Sequence, residues 1–383
     1  MPGLSSDPDT RQEARRRRVT YTVYGDPRDP KTQSGVAKNL GDALDRQARL
    51  TVDRIDTSLG RTSYWLAALL SVRRGSDRWR SALHHSPRST RARTRSLTRQ
   101  LRHTRVPVEV LLLLRSVYLP LTLPYVSYID GTVELSRQHW PPSAPWRGRT
   151  LKEVLECERA FFGSAAHIFT TGHLVSHSLG YHYGIPSDRV TVVGAGSNFA
   201  PSCSARRTQR EPWILFVGYD FARKGGNDLL QAFREVRRRH PFARLKIVGP
   251  RLNLDEPGVE VVGPVLDRQR LGDLYAKSLV FALPARYEPY GLSFLEAMAH
   301  GVACVGTQVG AVSEIIKADR TGHLVGPGNV PELADVLSSL VGDPDRAVAL
   351  GDAGLRRVRE EFTWDRVAER MAPVLANVQG RGH

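Results

Sequence analysis

Residues 213–249 read WILFVGYDFARKGGNDLLQAFREVRRRHPFARLKIVG, and the order of patterns in them decides the fold class. WILFV is a short, wholly apolar run that ends at Gly218, which reads as a strand buried on both faces. GGNDLLQAFREVRRRHP has helical spacing and is stopped by Pro241, and ARLKIVG is a second buried strand. Strand, helix and strand in this order predict a parallel pair joined by a crossover helix.

The alternation continues toward the C-terminus. VEVVG, LGDLYAKS and LVFALP give strand, helix and strand, and LSFLEAMAHG, ACVGT, AVSEIIKA, TGHLV and PELADVLSSLVGDP extend the series to residue 344. Toward the N-terminus, beyond a polar linker at Ala200–Arg210, LKEVLECERAFFGSA, HIFTT, HLVSHSLGYHYG and VTVVGAGSN repeat it. VTYTVYG from Val19, the loop DPRDPKTQSG and the helical VAKNLGDALDRQ begin this first half, and YVSYID reads as a strand ending at Asp130-Gly131. Between them, SYWLAALLSV fits a helix, whereas SPRSTRARTRSLTRQLRHTR fits either a mobile loop or a basic helix. The expectation is an α/β protein of two Rossmann-like domains facing across a cleft: a flexible tail over 1–18, a first domain over 19–200, a second over 201–362 and a last helix at about 363–380.

Length agrees, because 383 residues exceed what one core usually serves. Cys157, Cys203 and Cys304 are far apart and lack metal-ligand spacing, so they read as free thiols of a reducing compartment. The first residues are polar and basic rather than a secretory signal, and the apolar stretch Val106 to Tyr125 is broken by Glu109, Arg115, Pro120 and Pro124. A cytoplasmic protein is expected.

The net charge of +16 is concentrated in the first 200 residues, which hold 30 Lys+Arg against 17 Asp+Glu. From Arg73 to Arg105 there are eleven arginines and one acid, Asp77. Such a field suits anionic lipid, nucleic acid or an acidic substrate. A compositional origin is equally open, since the chain has 48 Arg and only 7 Lys. No interleaved aromatic stacking pattern accompanies the arginines, which argues against a nucleic-acid module; contact with an anionic membrane surface stays open.

In open α/β sheets ligands sit beyond the carboxyl ends of the strands, so the loops after Gly218, Gly249 and Pro284 are the places for chemistry. Arg223 and Lys224 precede a helix N-terminus, where cations and free amides suit a phosphate. The spacing is not that of a Walker loop, and a plain solvated turn is the competing reading. In ARYEPYGLSFLEAMAHG (285–301), Glu288 lies before a helix whose first amides, Tyr290 to Ser293, face the same loop, and Gly301 ends the helix. Ser293-x-x-Glu296 has the form of a capping box, which would give Glu296 a structural role. Asp130, in Asp-Gly at a strand end, reads as an Asx-turn residue. His167 and His173 read as packing or helix-start residues, and neither a D-x-D nor a His/Cys cluster points to a metal.

VGYDFARKGGNDLLQAF, ARLKIVGP, ARYEPYGLSFLEAMAHGVACVGTQVGAVSEII, TGHLVGPGNVPELADVL and FTWDRVAERM, in this order, resemble the family-4 retaining glycosyltransferases of GT-B fold, from about residue 153 to the C-terminus or about 60% of the chain. The resemblance implies a nucleoside diphosphate sugar donor, of UDP or GDP type, with no metal or other cofactor. Lys224 would bind the donor pyrophosphate, helped by the amides of Tyr290, Gly291 and Leu292. Glu288 would meet the donor sugar and Glu296 the ribose. Tyr219 stands where the family often has an arginine, and Arg223 is the substitute. The Ser34-Gly35 loop resembles the family's first glycine loop, and Asp130 stands at a strand end where many members carry a histidine, a place that implies a base, an acceptor-orienting group or a nucleophile on the sugar. The last helix, anchored by Trp364, would cross back onto the first domain. Asp130, Glu288 and Lys224 are thus the catalytic candidates, and the acceptor, held by the first domain, is unspecified. Two rivals remain: a polyanion or anionic-membrane binding module on the same scaffold, and a nucleotide-sugar epimerase, which would release the nucleotide without an acceptor.

Overall fold

The computed structural model describes residues 16–58, 86–104, 107–201 and 210–379. SYWLAALLSV, most of the linker and Cys203 lie outside them.

The first sheet consists of β1 (Arg17–Val23), β2 (Leu50–Asp56), β3 (Val110–Leu114), β4 (Tyr125–Ile129), β5 (His167–Thr170) and β6 (Val190–Val192), in spatial order β2-β1-β3-β4-β5-β6. The second consists of β7 (Glu211–Val217), β8 (Arg244–Val248), β9 (Val259–Gly263), β10 (Ser278–Leu283), β11 (Ala303–Thr307) and β12 (Gly322–Val325), in order β12-β11-β10-β7-β8-β9. Every pairing between these strands is parallel. In both sheets the order reverses beside the first strand, which opens a crevice at the carboxyl ends.

The connecting helices of the first half are α1 (Val36–Asp45), α2 (Pro87–Arg102), α3 (Val133–His139), α4 (Gly148–Ser164) and α5 (His173–Tyr183). Those of the second are α6 (Gly226–Arg239), α7 (Arg268–Lys277), α8 (Leu292–Ala299), α9 (Val312–Ile315), α10 (Val330–Gly342), α11 (Pro344–Glu361) and α12 (Trp364–Asn377). The wholly buried strands β3, β4, β10 and β11 are each flanked on both sides in their sheets, as a near-continuous apolar run requires.

Three local expectations need correction, and one open alternative is decided. β1 begins at Arg17 rather than Val19, because Arg17 and Arg18 pair with Leu50 and Thr51 of β2 and their side chains meet Glu109 and Asp53. The arginine-rich segment from Pro87 is a helix: Ser86 caps it by accepting from the Ser89 amide, and Leu97 is buried beneath it. AVSEIIKA supplies only the single turn α9. Strands β2 and β3 and helices α3 and α11 had no counterpart in the sequence reading.

The last helix does cross back. The Ser197 amide donates to Phe362 O at 2.9 Å, Arg370 Nη1 donates to Val193 O at 2.9 Å, and Asp365 pairs with Arg46 just beyond α1. Trp364, 6% exposed, opens α12 and donates from Nε1 to Asn198 Oδ1 at 3.1 Å. The two halves share one apolar core along this seam, from Leu40 and Leu44 of α1 to Val367 and Met371 of α12.

Candidate active site

The loops after β7 and β10 are locked to each other before either meets a ligand. Gly225 caps α6 with φ +74°, and a Cβ there would lie 1.8 Å from Pro284 O, so only glycine permits this backbone approach. The Arg286 amide donates to Arg223 O at 2.8 Å, and Arg286 forms a two-pronged ion pair with Asp228 on α6. This places Lys224 Nζ 2.9 Å from Glu288 Oε2. Arg223 Nη1 donates to Tyr287 O at 2.7 Å and stands 3.8 Å from the same carboxylate. Glu288 is buried; burial alone would raise its pKa, but Lys224, Arg223 and the Tyr290 amide outweigh it and hold the carboxyl below the usual range.

The α8 N-terminus differs from the capping-box expectation. Gly291, at φ +107°, is the N-cap, and the helix begins at Leu292 without a side-chain cap. Ser293 is therefore the second helical residue, and its Oγ is buried without a hydrogen-bond partner. Glu296, one turn on, does not reach back to cap the helix. Its Oε2 accepts from Tyr275 Oη at 3.3 Å and its Oε1 lies 3.9 Å from Arg268 Nη2. Burial raises its pKa, against the pull of Arg268. The Tyr290 amide is directed to Glu288, whereas the Leu292 and Ser293 amides have no intrahelical acceptor and border the cleft.

From the first domain, Ser34 reaches the cleft at φ +59° while Gly35, φ +95°, caps α1 behind it. Asn198 joins this loop to the crossing seam. Its Nδ2 donates to Ser34 O at 2.9 Å, and its Oδ1 accepts from Asn39 at 3.0 Å as well as from Trp364. Arg268 bridges the domains, donating to Asn198 O at 2.7 Å and lying 4.1 Å over the Phe199 ring. The Tyr290 hydroxyl accepts from the Ala195 amide at 2.9 Å. Asp130 faces the cleft, paired with Arg115 at 3.1 Å.

The resulting cleft encloses about 580 Å³ between the domains. Asp130, Arg223, Lys224, Glu288, Tyr290, Gly291, Leu292 and Glu296 all line it, as does the exposed Tyr219; Gly35 itself does not. His167 bonds Thr191 within the first domain, and His173 opens α5, its amide donating to Glu314; neither lines the cleft. Arg115, Asn198, Arg268 and Tyr287 escaped the sequence reading. Asn198 closes the quoted VTVVGAGSN, but nothing near Arg268 in the chain signals its partners. Among the described residues no group of three or more His, Cys, Asp or Glu could hold a metal ion, and no helix is long and apolar enough to cross a membrane.

Residues 211–343 match the model of the family described as Glycosyl transferases group 1. Alpha-maltose-1-phosphate synthase of Mycolicibacterium smegmatis is 39% identical over 127 residues, covering 32% of this chain and 33% of that protein. The chain spans between a third and two thirds of the length of such curated relatives. Among solved structures, sucrose-phosphate synthase from Thermosynechococcus elongatus superposes with a TM-score of 0.71 at 20% identity, covering 94% of this chain and 98% of that one. HepE from Anabaena, solved with UDP-glucose, gives 0.64 at 13% identity, covering 94% and 99%. These two likenesses are of fold.

Proposed function

We propose that this chain, whose residues 211–343 match the group 1 glycosyltransferases and whose two parallel sheets have the GT-B fold, moves a sugar, with retention, from a nucleoside diphosphate donor to an acceptor bound by the first domain. The observation that carries this is the convergence of Lys224, Arg223, the α8 N-terminus, Glu296 and Arg268 on the lining of one interdomain cleft. The cations and free amides suit a diphosphate. Glu296, an acceptor of hydrogen bonds when ionised, suits the ribose diol. The UDP-glucose bound by HepE supports a donor of this class, UDP or GDP in type, and the apolar Val248, Val265, Leu266 and Leu271 offer a wall for the base.

In this reading the bond between the sugar C1 and the diphosphate oxygen breaks and its electron pair leaves with the diphosphate, whose growing charge Lys224 and Arg223 stabilise. The acceptor oxygen bonds C1 on the same face, and its proton passes to the departing diphosphate oxygen. Glu288, held between the two cations, orients the sugar hydroxyls, and Asp130, held by Arg115, accepts from the acceptor hydroxyl and aims it. No protein-bound metal enters the scheme.

A thermal-shift panel of UDP-, GDP-, ADP- and dTDP-sugars identifies the donor. With it, Lys224→Ala is expected to abolish transfer and Glu296→Gln to weaken donor binding about tenfold, as loss of one charged hydrogen bond would. Wild-type transfer by both variants would sink the proposal.

Helix α2 supports a further part of the reading, peripheral contact with an anionic membrane. Every exposed residue of α2 is an arginine.

A further inference from the structure

A second cavity of about 180 Å³ opens from the cleft into the first domain, sharing Arg115, Asp130, Ser136 and Tyr287 with it. We infer, resting on the glycosyltransferase reading above, that this cavity receives the acceptor and that it takes a single neutral, polyhydroxylated six-membered ring, a monosaccharide or cyclitol unit carrying no phosphate inside the cavity.

Three buried polar atoms on its wall lack partners. They are Arg115 Nε, the Oγ of Ser116, which is 2% exposed, and the Oη of Tyr287, 3% exposed. Ser136 stands beside the Tyr287 phenol and Tyr118 beside the Ser116 hydroxyl, yet neither pair makes a hydrogen bond of ordinary geometry. Folded proteins rarely leave such atoms unsatisfied, so three around one space point to a ligand that supplies the missing bonds. A guanidinium N–H, two hydroxyls and the Asp130 carboxylate together offer donors and acceptors, which matches the dual character of alcohol groups. Ile129, Val133, Trp146 and Phe162 add apolar surface to the lining, which suits the C–H face of a ring.

Size and charge narrow the class. A cavity of about 150 Å³ admits one benzene ring, so this one has room for one six-membered ring with its substituents and none for a second. Among the described lining residues Arg115 is the one cation, and it is already paired with Asp130. Glu158, 4% exposed, forms part of the floor, where it accepts from the Val133 amide at 3.1 Å and from the Tyr183 hydroxyl. A phosphate placed here would face two carboxyl groups and a guanidinium already engaged, whereas a neutral ring would not.

The test uses the full chain and the donor chosen by thermal shift. Donor affinity and donor hydrolysis without acceptor are measured first, and they judge the glycosyltransferase reading by itself; if no nucleotide sugar binds, the inference falls with that reading. Methyl α-D-glucopyranoside, methyl α-D-mannopyranoside and myo-inositol are then compared with glucose 6-phosphate, mannose 6-phosphate and an inositol monophosphate. Saturation-transfer NMR reads binding, and nucleoside diphosphate release reads transfer. At least one neutral ring is expected to bind and accelerate release, with its phosphate ester at least tenfold weaker. Ser116→Leu, which fills the cavity, should raise KM for that ring at least tenfold while the donor Kd stays within twofold. Ser116→Ala, which removes only the hydroxyl, should raise it about threefold. A preferred phosphate ester, intact donor binding with no neutral ring bound, or an unchanged KM in both Ser116 variants would each overturn the inference.

Discussion

Three buried glutamates, Glu158, Glu288 and Glu296, share a side chain and differ in what surrounds it. Glu288 is held ionised by two cations, whereas Glu158 has no cation beside it, and burial pushes it up to about 7 against the opposing bonds from Tyr183 and Val133, with Glu134 adding to the rise. A folded pKa above the unfolded 4.5 means the native state holds its proton longer. The associated stability is present below pH 4.5 and is lost as pH rises to about 7, a change of roughly 3 kcal/mol. Thermal unfolding followed from pH 4.5 to 7.5 should therefore show a decline in the wild type that Glu158→Gln, which keeps the shape and cannot ionise, largely removes; parallel profiles would refute the assignment. At this scale the sequence was legible for residue types and less so for roles. Glu288, Glu296 and Lys224 could be picked from the chain, and they do line one cleft. The capping role of Ser293 could not be judged, because Gly291 and Ser293 both offer a helix start. Tertiary packing chose the glycine, whose left-handed φ a β-carbon would resist.

At the scale of elements, the site depends on two strand-to-helix loops pressed backbone to backbone. Gly225→Ala would drive a methyl group into Pro284 O and add strain at φ +74°. It should cost about 2–4 kcal/mol of stability and, by moving Lys224 from Glu288, remove donor-induced thermal stabilisation; a variant with wild-type melting and donor response would show that the loops slide freely. The strand-helix alternation of the second domain was readable because WILFV of β7 and LVFAL of β10 are unbroken apolar runs ended by Gly218 and Pro284. β2, LTVDRID, was not, since it lies at the sheet edge and exposes charged residues. β3 was hidden inside a longer apolar stretch, and α11 has a polar, charged surface that gave no strong period. Arg268 was illegible for another reason: its partners Ser34 and Asn198 are 234 and 70 residues away.

Across the whole molecule, the charge asymmetry seen in the sequence becomes a surface. Arg88, Arg91, Arg95, Arg99 and Arg102 are the exposed residues of α2, and at 3.6 residues per turn they fall within about 80° of arc. The buried side of the helix ties to the cleft: Arg93 Nη2 donates to Val117 O at 3.2 Å and Thr94 Oγ1 accepts from the Leu119 amide at 2.9 Å, both in the segment that follows Arg115. A membrane gathered on this stripe would thus lie on the domain that carries the smaller cavity. With no apolar side chain among the exposed positions, the helix has nothing to insert, so adsorption should be electrostatic and salt-sensitive. Each basic residue contributes about 1 kcal/mol near an anionic surface. Reversing three of them, in Arg95→Glu/Arg99→Glu/Arg102→Glu, should therefore lower partitioning onto phosphatidylserine-containing vesicles by at least about 100-fold. High salt should release the wild type, zwitterionic vesicles should not bind it, and donor affinity should be unaffected. Co-sedimentation measures all of these, and a triple variant that pellets like the wild type would remove α2 as the contact. Preferential binding of the wild type to RNA over the vesicles would transfer the stripe to a nucleic-acid partner instead.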